Sequence, residues 1–565
     1  MLLKEKLSFI RNSNSNKIAI ISEEKTYSYK NIDLLVESCK RSLGDCKLPV
    51  LINVKSRFKS IILMLAAIDL DITYIPVDND RSNKSINEIK KCFYKVRVVR
   101  DVDFYNEMIS DEIEVNHDCE SGKLIFDHVM AIMFTSGTTG KPKGVQVRSS
   151  SVMNLLDNPK FMRFSEKEVF LSYSSLSFDA SIFEIFTPLL SGNTLVLINK
   201  IMILDDDSLQ SQIEKYSISC MWMTAGLFNK KVLDDNYSAL KKVNSIIIGG
   251  DKVSLAASIK FLHDTNSVSL YNGYGPTENT IFSTVESLVL KKLIEKKRLS
   301  IGKVVNGVDY LFFDERIKKF KKNSCGRLFL SGNGLSCGYI NNNIENDRAF
   351  TMINNTLFYD TGDYVECDSE EDFYYLGRND RQVKINGHRV ELDEVESLLE
   401  DHIHIQKAYC FVMNGLIIAA IELDSTAKKQ GLTMSEIERN SSLLLSGYLM
   451  PKHFLCVNDW PLTSNNKLDV DAIEKWANKE LSQTKVKKST NLCDIKDIAE
   501  SVINKKIDTP DKGLFDVGFD SMTLVELHKN INNILNLDIS LIDIYSLGSI
   551  SKIDEHIKSN LNFRK

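Results

Sequence analysis

No two cysteines of this chain stand at C-x-x-C spacing. The 11 cysteines (Cys39, Cys46, Cys92, Cys119, Cys220, Cys325, Cys337, Cys367, Cys410, Cys456 and Cys493) are scattered over 565 residues. Neither a zinc knuckle nor a redox dithiol is therefore encoded. An odd number of thiols without a secretory leader fits a reducing compartment, and the expected location is the cytoplasm. The opening residues, MLLKEKLSFIRNSNSN, carry a glutamate and lack the apolar stretch of a signal peptide. Long hydrophobic runs are missing too: the best, Ile61 to Ile68, is stopped by Asp69 and is too short to span a bilayer. Nor does one sign of charge dominate. With 71 Lys plus Arg against 76 Asp plus Glu, the net charge is −5, which argues against a broad nucleic-acid or anionic-membrane binder. There is no internal repeat and no low-complexity tract.

What is present is ordinary globular material, 43% hydrophobic and 26% charged, enough for several cores. At roughly 150 residues per domain the length predicts three to four units. From Lys17 to about Tyr374, β-like runs (Lys17–Ser22, Val129–Phe134, Leu195–Ile198, Ser245–Ile248) alternate with amphipathic segments (Ile32–Leu43, Ser254–His263). That alternation predicts an α/β core. A smaller α+β stretch follows from Arg381 to about Leu481, its best strand being Leu416–Leu423. Ser482–Asn491 (SQTKVKKSTN) is polar and basic and reads as a linker. Beyond it three apolar stripes predict an all-α bundle: Ile495, Ile498, Ala499, Val502 and Ile503; Leu524, Val525, Leu527 and Ile531; Ile550, Ile553 and Ile557.

The chemistry is concentrated after the strand Val129–Phe134. Thr135-Ser-Gly-Thr-Thr-Gly-Lys-Pro-Lys-Gly144 packs four hydroxyls, three glycines and two lysines into ten residues. Close backbone approach, donors and positive charge are what a polyphosphate requires. It is not a Walker A loop, because Thr135 stands where the first Gly belongs and Pro142 where Ser or Thr belongs. Thr135–Val145 resembles the phosphate loop of the adenylate-forming superfamily, which includes nonribosomal peptide synthetase adenylation domains and acyl-CoA and aryl-acid ligases. Further motifs fall in the family's order: Tyr274-Gly-Pro-Thr-Glu278, Tyr359-Asp-Thr-Gly-Asp363, Gly377-Arg-Asn-Asp-Arg-Gln-Val-Lys-Ile-Asn-Gly387 and Pro461-Leu-Thr-Ser-Asn-Asn-Lys467. Weaker signatures lie at Lys25-Thr-Tyr-Ser-Tyr29 and Thr73-Tyr-Ile-Pro-Val-Asp78. The likeness covers residues 1 to about 480.

The resemblance implies a division into an N-terminal core (1–379), a mobile C-terminal subdomain (380–481) hinged at Asp380, the linker (482–491) and a carrier domain (492–565). It implies that ATP is held at its phosphates by Thr135, Ser136, Gly137, Thr138, Thr139 and Gly140 with Lys143 adding charge. Tyr274 is expected to stack on adenine, Asn272 to bond its edge, Asp363 to accept from the ribose hydroxyls and Arg378 to approach the sugar and phosphate. Thr277 is assigned to the α-phosphate, Glu278 to Mg²⁺, and Lys467 to the substrate carboxylate and the transition-state phosphate. Gly387 belongs to the loop that faces the pantetheine tunnel after domain rotation. Four positions depart from the family pattern: Asn466 and Asp71 stand for Gly, Arg327 for an acid and Ser149 for His.

Phe178-Asp179-Ala-Ser-Ile-Phe183 resembles the segment that opens the pocket in amino-acid-activating relatives. Asp179 is expected to pair with the α-ammonium, although as plain sequence it could simply cap the helix that follows. The wall carried over by resemblance is Ala180, Phe183, Trp222, Ile247, Gly249, Gly273, Ile281 and Phe282. It is apolar, with glycines leaving room and three aromatic rings limiting depth. A small branched aliphatic side chain fits, valine first, with isoleucine or leucine separated from it by only about 1–3 kcal/mol. Leu514-Phe-Asp-Val-Gly-Phe-Asp-Ser-Met-Thr-Leu524 resembles a phosphopantetheine attachment site with Ser521 as acceptor, at a helix start where phosphate is favoured. Implied partners are the amino acid, a phosphopantetheinyl transferase and a downstream condensation or tailoring enzyme; a small activator protein stays an open requirement. No His-His-x-x-x-Asp-Gly condensation motif occurs, so a loading or stand-alone module is expected.

Three rivals are discriminated by single features. Gly334-Leu-Ser-Cys-Gly338 matches a hydrolase G-x-S-x-G, but an elbow needs a strand directly before it and a helix directly after. A free-standing acyl-CoA or aryl-acid ligase has no use for Ser521 or Asp179. A degenerate nucleotide-binding scaffold predicts no ATP–pyrophosphate exchange.

Overall fold

The computed structural model describes residues 1–565 except 46, 79–82, 105–107, 117–128, 136–141, 158, 163, 166, 266, 316, 323–324, 379, 386–387, 401, 403, 414, 425–426, 428–432, 442–444, 446–448, 458–459, 462–467, 485–493, 504–505, 508, 516, 520, 536, 538 and 563–565. The described residues form two compact units, one made of residues 1–198 and 216–458, the other of 199–215 and 459–565.

In the first unit a nine-stranded sheet runs in the order Lys303–Val304, Thr284–Ser287, Ser269–Tyr274, Ser245–Gly249, Cys220–Thr224, Val169–Ser172, Thr194–Leu197, Ile18–Ser22, Lys25–Ser28. Its interior strands are parallel and antiparallel pairs close both edges. The interior strands are near-continuous apolar runs, as sheets covered on both faces require. A six-stranded sheet follows the order Met108–Val115, Lys95–Asp103, Val50–Ile52, Tyr74–Pro76, Val129–Thr135, Lys143–Arg148. The last two pair antiparallel, from Val129 opposite Arg148 to Thr135 opposite Lys143, and so bring the two ends of the phosphate-loop motif side by side. A third, antiparallel sheet carries Thr356–Cys367 between Cys325–Gly332 and Phe373–Arg378. Helix Arg57–Asp69, the longest apolar run of the sequence, is buried from Ser60 to Ile68.

Residues 385–454 of this unit gather around a hydrophobic cluster of their own, including Ile385, Val390, Val395, Cys410, Ile421 and Phe454. Strands Ile405–Met413, Leu416–Leu423 and His453–Cys456 make its sheet.

In the second unit, helices Ile495–Ile503, Ser521–Leu535, Leu541–Leu547 and Ile550–Asn562 bury Ile498, Leu524, Leu527, Ile531, Ile544 and Ile553. Val525 stays half-buried, so the second stripe is narrower than its sequence spacing predicts. Helix Val470–Thr484 runs through Ser482, Gln483 and Thr484, three residues into the segment read as linker. No Gly or Pro stands there to stop it.

The architecture is the one expected, an α/β core, a smaller α+β part and a helical domain of four described helices.

Candidate functional site

Strand Ser269–Tyr274 and the turn that follows it lie at the carboxyl end of the parallel part of the sheet, where open α/β sheets bind ligands. Strand Ser269–Tyr274 delivers Asn272, Gly273 and Tyr274, and the turn after it delivers Thr277 and Glu278. That turn folds back tightly. A Cβ on Gly275 would lie 2.5 Å from the Ile281 carbonyl oxygen, so only glycine fits. Thr280 and Ile281 sit in the left-handed region with φ of +53° and +65°, an unfavourable conformation for β-branched residues that concentrates at functional sites.

Asp179 is buried and does not cap helix Ala180–Ser191: its own backbone is helical and no cap bond forms. Its Oδ2 instead accepts from the Thr277 hydroxyl at 2.6 Å. Burial pushes the Asp179 carboxyl up to about 6 against the opposing pull of that hydrogen bond and of Lys384. Thr277, assigned to phosphate, thus spends its proton on the carboxylate assigned to the ammonium.

Behind Asp179, Ala180, Phe183, Trp222, Ile247, Ile281 and Phe282 are all buried in the main hydrophobic core. Phe178 packs edge-on against Trp222 at 5.5 Å and Phe183 against Phe282 at 5.5 Å. The two glycines do not leave the room that was expected of them. A Cβ on Gly273 would stand 2.6 Å from the Phe282 ring, and one on Gly249 would stand 2.4 Å from the Gly273 carbonyl oxygen. Their missing side chains are filled by protein, so they permit close packing rather than open space.

Glu278 is almost fully buried. Its carboxylate accepts from the Tyr339 hydroxyl at 2.6 Å and from Arg389 Nη1 at 3.1 and 3.3 Å. Burial pushes this carboxyl up, but Arg389 and Tyr339 outweigh it and hold the group below the ordinary range. An ionised carboxylate at this place suits a hard divalent cation, which takes one or two carboxylates and completes its shell with phosphate and water.

Asp363 accepts from the Tyr274 hydroxyl and from Arg378 Nη1, so both oxygens expected to face ribose are engaged by protein. Arg378 also clasps Asp380 through Nε and Nη2, each at 2.7 Å, tying the expected ribose contact to the expected hinge. Asn272 donates to the Ser300 carbonyl at 2.8 Å. The ammonium of Lys143 is paired with Glu345 at 2.7 Å, and the Thr135 hydroxyl bonds the Lys143 carbonyl. Ser136, Gly137, Thr138, Thr139, Gly140, Gly387 and Lys467 lie outside the described residues, as does the side chain of Ser521. The backbone of Ser521 opens helix Ser521–Leu535.

Sequence reasoning passed over Lys384 and Arg389. They are directly opposite one another in the antiparallel pair Gln382–Ile385 and His388–Glu391, and both turn towards the acidic site. Lys384 lies 6.0 Å from the Tyr274 ring centre. Two like charges placed opposite each other destabilise a hairpin unless carboxylates face them. The available signal was period-2 alternation: Ile385 and Val390 enter the hydrophobic cluster of residues 385–454 and leave the cations on the other face.

Of the four departures, Asp71 has φ +54°, the conformation that makes glycine the usual choice. Arg327 pairs with Glu315 and Asp360, and Ser149 begins a helix. Ser336 of the G-x-S-x-G match is buried, its N–H spent on the Glu278 carbonyl, and the next helix starts only at Asn343. That is not a nucleophile elbow.

The AMP-binding enzyme profile matches residues 10–340 and the phosphopantetheine attachment site profile matches residues 493–557. The chain is 31% identical over 76% of its length to bacitracin synthase 3 of Bacillus licheniformis, of which it spans only 7%. It is 28% identical to the L-allo-isoleucine:holo-[CmaA peptidyl-carrier protein] ligase of Pseudomonas savastanoi pv. glycinea, covering 92% of this chain and 90% of that one. Among solved structures, a holo NRPS protein containing adenylation and PCP domains, bound to a vinylsulfonamide inhibitor, superposes with a TM-score of 0.77 at 22% identity, over 99% and 96% of the two chains. An artificially fused adenylation-PCP di-domain NRPS from Klebsiella oxytoca gives 0.68 at 19%, over 99% and 98%. Among the described residues no helix is long and apolar enough to cross a membrane. The chain belongs to the AMP-binding enzyme family of adenylate-forming ligases and carries a phosphopantetheine attachment site at its C-terminal end.

Proposed function

We propose that this protein activates an aliphatic L-amino acid, valine first, as its aminoacyl-AMP and passes the acyl group to the thiol of a phosphopantetheine arm on Ser521. A carboxylate oxygen attacks the α-phosphorus of ATP and the bond to the pyrophosphate oxygen breaks. In the second half the thiol sulfur attacks the acyl carbon and AMP leaves. The observation that carries the reading is Asp179: a buried carboxylate, not used as a helix cap, at the edge of an apolar wall. Burying it costs free energy that Lys384 and Thr277 offset only in part, and an α-ammonium is a partner that an aryl or fatty acid cannot offer.

In this reading Asp179 and Thr277 orient the amino end. Glu278 would hold a divalent cation, which when bound would supply charge neutralisation for the phosphates. Asp363, Tyr274, Asn272 and Arg378 seat the nucleoside, the loop Thr135–Lys143 holds the outer phosphates, and Lys467 reaches the reacting carboxylate. Residues 1–379 and 380–481 act as two bodies hinged at Asp380, and 492–565 is the carrier. The protein works in the cytoplasm, primed by a phosphopantetheinyl transferase. Isoleucine-type acids are the second reading, favoured by the relative that ligates L-allo-isoleucine and matches along nearly its whole length.

The test is exchange of radiolabelled pyrophosphate into ATP across all proteinogenic amino acids and a set of aryl acids. Exchange is expected to peak on valine and to fall at least about a hundredfold in Asp179→Ala, the scale of a lost buried charge pair. Exchange on an aryl acid, or survival of exchange in Asp179→Ala, sinks the pocket reading.

A further inference from the structure

The cation assigned to the outer phosphates already has an anion beside it. Lys143 Nζ lies 2.7 Å from Glu345 Oε2, and both side chains are buried. Residues 337–340 run along strand Lys143–Arg148 and are bonded to it. The Ile340 N–H donates to the Gly144 carbonyl at 2.9 Å, the Gln146 N–H to the Gly338 carbonyl at 3.0 Å and the Cys337 N–H to the Gln146 carbonyl at 2.9 Å. Helix Asn343–Ala349 follows directly, capped by Asn342, whose side chain accepts from the Glu345 N–H at 3.2 Å. The cap fixes Glu345 in the first turn, within reach of the lysine. From the same helix Asn346 accepts from the Tyr339 N–H at 2.7 Å and donates to its carbonyl at 2.8 Å. The Tyr339 ring in turn lies 5.6 Å from the Lys143 ammonium. Burial pushes the Glu345 carboxyl up, but Lys143 and the more exposed Arg348 outweigh it and hold the group below the ordinary range. Lys143 and Glu345 are thus two ions in contact, with no net charge between them.

Resting on the function proposed above, we propose that Glu345 is a positioning residue that keeps Lys143 as half of a neutral pair, so that the outer phosphates are held weakly enough for pyrophosphate to leave. An ammonium has three donors, so Lys143 can keep Glu345 and still turn an N–H to a phosphate oxygen. The carboxylate next to it repels the same phosphate, however, and cancels much of the attraction. Glu345 touches neither the α-phosphorus nor the acyl carbon, and no covalent bond changes on its account. Its influence is confined to groups that reach Lys143, which are the outer phosphates of ATP and the pyrophosphate they become. The resulting sign is unusual for a buried charge pair: removing the carboxylate strengthens binding.

Calorimetry on the full chain tests this with three probes: pyrophosphate with Mg²⁺, the α,β-methylene analogue of ATP with Mg²⁺, and AMP. The proteins are wild type, Glu345→Gln, Glu345→Asp, Lys143→Ala and the double variant, a cycle that isolates the coupling of the two side chains. Pyrophosphate and the ATP analogue are each expected to bind about tenfold tighter to Glu345→Gln, the scale of one charge-assisted hydrogen bond. Glu345→Asp, with a shorter side chain and a looser pair, is expected between that and wild type. AMP lacks the outer phosphates and is expected to bind as to wild type. In the Lys143→Ala background the Glu345→Gln change is expected to have no effect. Unchanged or weaker pyrophosphate binding in Glu345→Gln overturns the proposal. So does equal tightening of AMP, or the same tightening without Lys143, either of which marks Glu345 as a diffuse negative field. If Glu345→Gln does not fold, Glu345→Asp decides by the same sign. Failure of the underlying function is separately visible, as absence of amino-acid-dependent exchange in wild type, and leaves the phosphate comparison intact.

Discussion

On the proposed function, Asp179 gives this site a pH dependence. Its carboxyl is raised to about 6 by burial, so above that pH it is ionised and available to the α-ammonium proposed as its partner, and below it that pairing is lost. The KM for the amino acid is expected to rise about tenfold for each pH unit below 6, with kcat far less affected, as the ionised fraction falls by that factor. The sign for stability is the reverse of a salt-bridged carboxylate. A raised pKa means that the ionised form costs folding free energy above the ordinary carboxylate range and that the cost fades on protonation. Asp179→Asn is thus expected to raise the melting temperature at pH 8 while abolishing amino-acid-dependent exchange. A pH-independent KM between pH 5 and 8 contradicts this account.

Two residues show how little of such behaviour is legible in advance. Asp179 in sequence is an equally good helix cap, and only the backbone at its own position settles that it is not one. Arg389 carries no motif signal, and its significance is that Glu278 lies across from it.

At the scale of elements, strands Ser245–Gly249 and Ser269–Tyr274 end with their glycines paired, Gly249 opposite Gly273. Each glycine admits a neighbour that any Cβ displaces, but the neighbours differ. Gly273→Ala meets the Phe282 ring, a side chain that can turn away, whereas Gly249→Ala meets a backbone carbonyl in the middle of the sheet. Overpacking costs typically about 1–3 kcal/mol. Gly249→Ala is expected at the upper end of that range and Gly273→Ala at the lower, read as shifts of the denaturation midpoint. The strands and helices themselves were readable from period. Leu416–Leu423 occurs as read and helix Leu255–Asp264 begins after its cap Ser254. The end of helix Val470–Thr484 was not, since a polar, charged stretch suits a solvated last turn as well as a linker.

For the whole molecule, the described hydrophobic clusters are several: that of the main sheet, one around Leu51, Val98 and Phe134, one around Phe312, Leu328 and Phe373, and that of residues 385–454, while the helices beyond Ile495 bury apolar residues of their own. Several clusters predict unfolding in more than one step. Ile553→Ala, a fully buried position of the last helix, is expected to cost about 2–4 kcal/mol and to lower one calorimetric transition while the others stay. A single transition shifted as a block shows instead that the cores melt together.

Order of motifs, hydrophobic period and the basic, polar break before residue 492 were enough to establish the reaction family, the layers and the carrier. Those features are local: each needs only its own dozen residues to be recognised. What only the tertiary structure decided is which group faces which. The pairing of Thr277 with Asp179, the filling of the glycine gaps by Phe282 and the Gly273 carbonyl, and the seating of Arg389 on Glu278 join residues 9 to 111 positions apart. Burial then gives those few contacts their strength, because a charge taken out of water depends on whichever partner the fold brings to it.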